Sequence, residues 1–343
     1  MYSDRNTPSR PHSLSIIIPV YNAALSIRQL VEQLLDVLPT LADQYEIILV
    51  EDDGRDDSWR VIEGITHDYG VYVHAIKLMR NYGQHSALLC GIRAARFGTI
   101  ITMDDDLQHP PDQISLLLAK LDEGYDVVYG RPHNEQHGFL RNLASQVTKL
   151  VLQNAMGADT ARSISAFRAF RTPLRRAFED YDSPYVNIDV LLTWATRHFI
   201  AIPVKHEPRT LGVSNYTIQK LIVHSFNMVT GFSVLPLQIA SMVGFGMTIL
   251  GLLILLYVLG RYILEGGTQF PGFPFLASTI AIFSGVQMFM IGVIGEYLAR
   301  IHFRTMKKPA YVVRYDSHTD EDPSDSSKKA PSSEALLSSE TDR

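Results

Sequence analysis

Three consecutive carboxylates, Asp104-Asp105-Asp106, follow a short apolar run, Thr99–Met103, and are closed by Leu107-Gln108-His109-Pro110-Pro111. Adjacent like charges repel, so a purely structural segment has little reason to hold three of them at the end of a buried strand. Mg²⁺ or Mn²⁺ changes that balance, because either cation favours a few carboxylate oxygens together with phosphate oxygens. The residues suit a metal–diphosphate site; the plainer alternative is a solvated acidic turn. Alternate residues of an extended segment point the same way. Asp104, Asp106 and Gln108 are therefore expected to share a face, with Asp105 turned aside. His109 is a further polar candidate, set against a simple turn residue before Pro-Pro.

A second acidic cluster, Glu51-Asp52-Asp53-Gly54-Arg55-Asp56-Asp57-Ser58, also follows an apolar run. An acid there can accept hydrogen bonds from a nucleobase or a ribose, as in dinucleotide-binding folds. It can equally cap the next helix. Asp53 is the favoured ligand contact, and Asp57 or Ser58 the favoured cap. Arg131, Arg162, Arg168 and Arg171, with Ser163 and Ser165 among them, form a scattered basic set. Arginine pairs with phosphate in bidentate fashion, which makes them anion-site candidates. Surface charge and lipid-headgroup contact are the alternatives. The stretch Arg209-x-x-Gly212-x-Ser214-x-Tyr216 reads as a lid or a linker, and His206 as a phosphate contact or a strand end.

These residues need elements to place them. Leu14–Val20 and Tyr45–Val50 are short, β-branched and almost wholly apolar, as strands buried on both faces are. Val71–Leu78, Gly98–Met103 and Tyr125–Gly130 read as further strands, and Ile200–His206 as an edge strand. Between them, Ser26–Leu38, Trp59–Tyr69, Ser86–Arg96, Asp112–Gly124, Phe139–Met156 and Tyr185–Phe199 read as helices. Strands alternating with helices predict an α/β domain with a mostly parallel, Rossmann-like sheet covered on both faces. Both acidic clusters follow strands, so both fall on one edge of that sheet.

The chain has 343 residues, a formal net charge of −5 and one cysteine, Cys90. The charge gives no support to nucleic-acid binding, and a single cysteine excludes an intrachain disulfide. From Leu221 to Gly260 there are 40 residues without Asp, Glu, Lys or Arg. Residues 214–234 suit an interfacial amphipathic helix. Two transmembrane helices are expected within 235–300, at about 236–260 and 273–295, each long enough for a bilayer core. Lys205, Arg209 and Lys220 before the spans, and Arg300, Arg304, Lys307 and Lys308 after them, outnumber the cations of the short loop between. The positive-inside rule then puts the α/β domain and both termini in the cytoplasm. Glu296 at the end of the second span is expected to pair with Arg300. The remaining divisions are a flexible N-terminus over 1–12, a globular domain over 13–213, a juxtamembrane segment over 301–315 and a disordered tail over 316–343.

Ser15–Asn22 (SIIIPVYN), Asp52-Asp53-Gly54, Arg80–Gly91 (RNYGQHSALLCG), Asp104–Pro111, Phe167–Arg171 and the Arg209–Tyr216 loop occur in this order. Together they resemble the family 2 inverting glycosyltransferases of GT-A fold, and within them the membrane-anchored polyprenyl-phosphate glycosyltransferases, over roughly residues 13–310. The resemblance implies transfer of a hexosyl or pentosyl group from a nucleotide-sugar to an undecaprenyl-type phosphate at the inner face of the plasma membrane. It implies a homo-oligomer and Mg²⁺ or Mn²⁺. It implies that Pro19, Tyr21, Asp52, Asp53, Arg80 and Asp104 hold the nucleotide-sugar, and that Asp104, Asp106 and Gln108 hold the metal. Arg131, Ser165, Arg168, Arg209 and Ser214 would hold the acceptor phosphate, and Asp104, Asp106, Arg131 and Arg168 would act in catalysis. Three positions depart from the family pattern: Ala23 replaces the usual acid after Tyr-Asn, Asp105 stands where alanine is common, and Arg162 where many relatives have Asp. No general base is assigned, because a phosphate monoester is already anionic; Asp105 is a weak candidate. The rival readings are a processive polysaccharide-forming enzyme and a non-catalytic glycolipid scaffold.

Overall fold

A computed structural model describes residues 12–132, 164–207, 235–264 and 272–319. Its described strands form one sheet in the order β7-β5-β6-β4-β1-β2-β3-β8. These are β1 Ser13–Val20, β2 Gln44–Glu51, β3 Val73–Leu78, β4 Thr99–Thr102, β5 Val127–Pro132, β6 Arg168–Arg171, β7 Phe199–Val204 and β8 Val313–Asp316. β4, β1, β2 and β3 run parallel, as do β5 and β7. β6 runs antiparallel between β4 and β5, and β8 antiparallel to β3.

The apolar strands are continuous because both faces are covered. In β1, Ile16 and Ile18 enter one core with Leu30 and Leu34 of α1 (Ile27–Leu41), Ile62 of α2 (Ser58–Tyr69) and Leu117 of α4 (Ile114–Asp122). Ile17 enters the other core with Leu88 and Ile92 of α3 (Gln84–Ala94) and Leu191 of α5 (Ile188–Ala195). Alternate residues of a strand face opposite ways, so one isoleucine run feeds both layers. α3 lies tight on the sheet at Gly91, whose Cβ position is filled by the Ile17 side chain.

The mostly parallel sheet and its edge strand β7 agree with the sequence. Several boundaries differ. The helix expected over Tyr185–Phe199 is shorter, and Asn187 caps it by accepting from the Val190 amide at 3.1 Å. Asp57 takes the N-cap position of helix α2, as expected, but without a side-chain cap hydrogen bond; Asp56 accepts instead from the Ser58 amide (3.1 Å) and hydroxyl (2.5 Å). The Phe/Arg stretch after Ser163 supplies β6, whose first three residues are all buried. The expected juxtamembrane segment over 301–315 continues into the first residues of the expected tail as one structured stretch. It returns to the sheet as β8, where Asp316 meets His74 at 2.7 Å and Tyr315 packs edge-on to Trp59.

Two long helices follow the domain, α6 Leu235–Leu264 and α7 Gly272–Thr305. Pro236–Val258 and Ile282–Thr305 are long and apolar enough to cross a membrane. Their large side chains face outward, with Leu255 61% and Phe289 65% exposed. A Cβ on Gly251 would meet the Phe283 ring at 2.9 Å, so the pair packs closely there. Glu296 and Arg300 pair at 2.9 Å, as expected. The expected interfacial helix over 214–234, the expected helix over Phe139–Met156, residues 1–11 and residues 320–343 lie outside the described residues.

Candidate active site

Parallel strands β4, β1, β2 and β3 deliver four loops to one sheet edge, and these loops are tied together by side chains. After β1, the Tyr21 amide donates to Asp105 Oδ2 of the carboxylate loop at 3.0 Å. Asn22 Oδ1 accepts from the Arg55 amide of the next loop at 2.7 Å. Asp52, at the end of β2, accepts from the Tyr82 and Gly83 amides at 2.7 Å each. Gln84, the first residue of α3, donates through Nε2 to Asp104 Oδ1 at 2.6 Å. Each loop therefore holds the next, and α3, crossing back from β3 to β4, returns the last to the first.

Residues in the left-handed region mark where this edge bends. Asn22 (φ 55), Asp53 (φ 51) and Leu107 (φ 62) are non-glycine residues there, a conformation that persists only when neighbours hold it. Gly83 (φ 93) makes the turn into α3, where a side chain would be strained.

The alternation expected over Asp104–Gln108 does not hold. The strand ends at Thr102, and the carboxylates sit on a bent loop rather than an extended segment. Asp105 is not turned away without purpose, since it holds the Tyr21 amide. Asp106 Oδ1 accepts from the Gln108 amide at 3.2 Å, closing a local turn. The Gln108 carbonyl accepts from the Glu207 amide at 2.9 Å, so the end of β7 is stitched to this loop.

Asp52 and Asp53 divide the work expected of both. Asp52 is 3% exposed, with one backbone amide on each carboxylate oxygen, so it shapes the loop rather than meeting a nucleotide. Burial pushes its carboxyl up to about 6, against the pull of the two amides. Asp53 is exposed at the turn. Pro19 is buried in β1 opposite Val50, beneath the loops. Tyr21 is 38% exposed, and Arg80 lies over the Tyr82 ring at 4.6 Å.

Among the acceptor candidates, Arg131 is exposed at the end of β5, on the same sheet edge. Ser165 is half-buried and accepts from the Phe167 amide at 3.2 Å. Arg168 differs from expectation. It is 2% exposed and ion-paired with Asp189, which also accepts from the Tyr129 hydroxyl at 2.9 Å. A buried guanidinium needs such a partner, and here it braces β5, β6 and α5 instead of presenting itself to a ligand. Arg162, Arg209 and Ser214 lie outside the described residues.

Sequence reasoning missed Gln84 as a partner of Asp104, and His85, whose Nδ1 accepts from the Ile188 amide at 3.3 Å. Both sit in the first turn of α3, and the helix start after Gly83 was the available signal. His109 is buried against Phe167, with ring centroids 5.1 Å apart, and His206 meets it edge-on at 5.0 Å. Burial drives its imidazole down to about 4, which keeps it neutral.

Asp104, Asp106 and Gln108 offer hard oxygen donors of the kind that Mg²⁺ and Mn²⁺ take. Among the described residues, no three His, Cys, Asp or Glu side chains form a ready cage. Mg²⁺ is commonly held by one or two carboxylates plus substrate oxygens.

The family model described as glycosyl transferase family 2 matches residues 15–181. An undecaprenyl-phosphate 4-deoxy-4-formamido-L-arabinose transferase of Shewanella sediminis is 33% identical over 302 residues, covering 88% of this chain and 91% of the relative. The enzyme of the same name from Klebsiella pneumoniae subsp. pneumoniae is 34% identical over 302 residues, covering 88% and 92%. Among solved structures, glucosyl-3-phosphoglycerate synthase from Mycobacterium tuberculosis aligns with a TM-score of 0.46 at 15% identity, covering 64% of this chain and 76% of its own. On the near full-length relatives and the matched catalytic region, the chain belongs to glycosyl transferase family 2, among the polyprenyl-phosphate glycosyltransferases.

Proposed function

We propose that this protein moves a glycosyl group, with inversion, from a nucleotide-sugar to an undecaprenyl-type phosphate at the cytoplasmic face of the membrane. The observation that carries the reading is the union of the four-loop edge with an apolar helix pair whose far end returns to the same sheet. A nucleotide-sugar is water-soluble and a polyprenyl phosphate is confined to the bilayer, so the enzyme needs a polar site tethered beside lipid.

The contacts of α7 support the site's orientation. Arg300 lies over the Tyr185 ring at 4.4 Å, and Arg304 acts on Tyr181. Tyr185 precedes Asn187, the cap of α5, and the first amide of α5 reaches His85 beside Gln84. Following α7 backward toward its apolar part thus leads toward the loop edge. A helix of 34 residues spans about 50 Å, more than the roughly 30 Å hydrocarbon core, so its charged end can lie along the domain. The return of β8 to the sheet ties the end of α7 to the domain; the cytoplasmic side rests on the cations that flank the helix pair.

In this reading Tyr21 and Asp53 meet the nucleoside and Arg80 the diphosphate. Asp104, Asp106 and Gln108 would hold Mg²⁺ or Mn²⁺, which when bound offsets charge on the departing nucleoside diphosphate. Arg131, with Ser165 nearby, orients the acceptor phosphate. An acceptor oxygen forms the new bond to the anomeric carbon as the bond to the diphosphate breaks, and the electron pair leaves with the nucleotide. The acceptor is already anionic, so the protein's work is alignment and charge compensation rather than proton removal. Arg168 and Asp189 keep β5 and β6 in register beneath that acceptor site.

The test is to incubate membranes carrying the protein with undecaprenyl phosphate and a panel of radiolabelled UDP-, GDP- and dTDP-sugars. The panel includes nucleotide-linked 4-deoxy-4-formamido-L-arabinose, the sugar in the relatives' names. A chloroform-soluble product of inverted anomeric configuration is expected with one donor. No lipid-linked product with any donor overturns the proposal.

A further inference from the structure

We infer that Asp105 is a positioning residue that locks the nucleotide turn to the metal loop and so couples the binding of nucleotide to that of the divalent cation. The inference rests on the donor-site reading above.

The four loops are joined as a closed ring. Tyr21 binds Asp105, Asn22 binds Arg55, Asp52 binds Tyr82 and Gly83, and Gln84 binds Asp104. Two of these four links use side chains that the chemistry of the site requires or that a buried strand end supplies, Asp104 and Asp52. The Asn22 and Asp105 links have no such second reason, and the Asp105 link is the one that joins the β1 loop directly to the carboxylates. A third charge beside Asp104 and Asp106 costs repulsion, which the Tyr21 amide offsets in part.

The geometry says what is lost without it. Tyr21 is 38% exposed, so its amide would turn to water if Asp105 were removed, at little cost to folding. The adjoining Asn22 holds φ 55, which the chain keeps only under restraint from both sides. Released on the Asp105 side, the turn has more conformations to lose when nucleotide binds. Nucleotide on Tyr21 and Asp53 would then no longer favour the cation-competent loop, and by linkage the cation would no longer favour nucleotide.

The experiment uses the full chain in detergent with Mn²⁺ and UDP, GDP and dTDP, following the nucleotide that the unaltered protein binds most tightly. Asp105→Ala is expected to weaken nucleotide binding in the presence of Mn²⁺ by about tenfold, the worth of a hydrogen bond to a charged acceptor. Asp105→Asn, which keeps an acceptor oxygen, should stay within about threefold of the unaltered protein. Mn²⁺ binding followed by electron paramagnetic resonance should lose its enhancement by nucleotide in Asp105→Ala. In transfer assays the donor KM should rise while the acceptor KM and the thermal midpoint hold, whereas a merely structural defect would lower kcat and the midpoint together. Equal nucleotide affinity in Asp105→Ala, or an Asp105→Asn variant as weak as Asp105→Ala, overturns the inference. If the unaltered protein binds none of the three nucleotides with Mn²⁺, the donor-site reading itself fails, and with it the inference.

Discussion

Neighbouring acids at the end of β2 carry unlike burdens. Asp52 faces inward and holds two amides, while Asp53 stands exposed in the left-handed region. Sequence pattern marked both as one cluster, because spacing alone does not tell which carboxylate the backbone claims. With its carboxyl raised to about 6, Asp52 contributes stability that is full below its ordinary value of 3.8 and is lost as pH rises through about 6. Binding has the opposite sense, because only the carboxylate accepts from both Tyr82 and Gly83. The donor KM should therefore climb as pH falls below about 6, and Asp52→Asn should raise it at every pH by opposing its own NH₂ to one amide. A donor KM unchanged between pH 7.5 and 5 would contradict this role. Arg168 was legible as important but not as buried. Asp189→Asn leaves its guanidinium underpaired, which should cost about 3 kcal/mol and lower the thermal midpoint. Arg168→Ala should likewise act on stability; a selective rise in acceptor KM at an unchanged midpoint would restore the phosphate-contact role.

At the scale of elements, the buried parallel strands were readable because runs such as Ile16-Ile17-Ile18 have little use outside a two-faced core. β8 was not readable. Val313–Asp316 is short and polar, follows basic residues and gains its meaning only from His74, Ala75 and Trp59 across the edge. The His318 ring stacks on His74 at 3.7 Å, and burial followed by His74 and Arg96 lowers its pKa, while Asp316 and Glu46 oppose the shift. A lowered imidazole favours the docked strand above its ordinary value of 6.5 and loosens it as pH falls below that. Trp59, beside Tyr315, should report this as a fluorescence change below pH 6.5 that His318→Gln abolishes; the same change in that variant would place its origin elsewhere. Packing of α3 is a second test. Gly91→Ala places a methyl on the Ile17 side chain, and overpacking of about 1–3 kcal/mol is expected from equilibrium unfolding.

The whole molecule joins a polar reaction edge to an apolar anchor. Composition alone announced the two long helices, since the charge-free stretches Leu221–Gly260 and Gly266–Gly295 have few other uses. It did not announce that the chain after them rejoins the sheet as β8. Resistance to alkaline carbonate extraction is expected for the full chain, and release into the supernatant would remove the membrane from the account.

The most direct measurement compares the unaltered protein with Asp106→Ala, both purified in detergent and given undecaprenyl phosphate, the productive labelled nucleotide-sugar and Mn²⁺. The unaltered protein should place label in the chloroform phase and stop when the cation is chelated. Asp106→Ala should lose at least about a hundredfold in rate, as removal of a group that stabilises leaving-group charge does, while still partitioning with membranes. Near-normal transfer by Asp106→Ala, or transfer indifferent to chelation, would contradict the metal–diphosphate site on which the account is built.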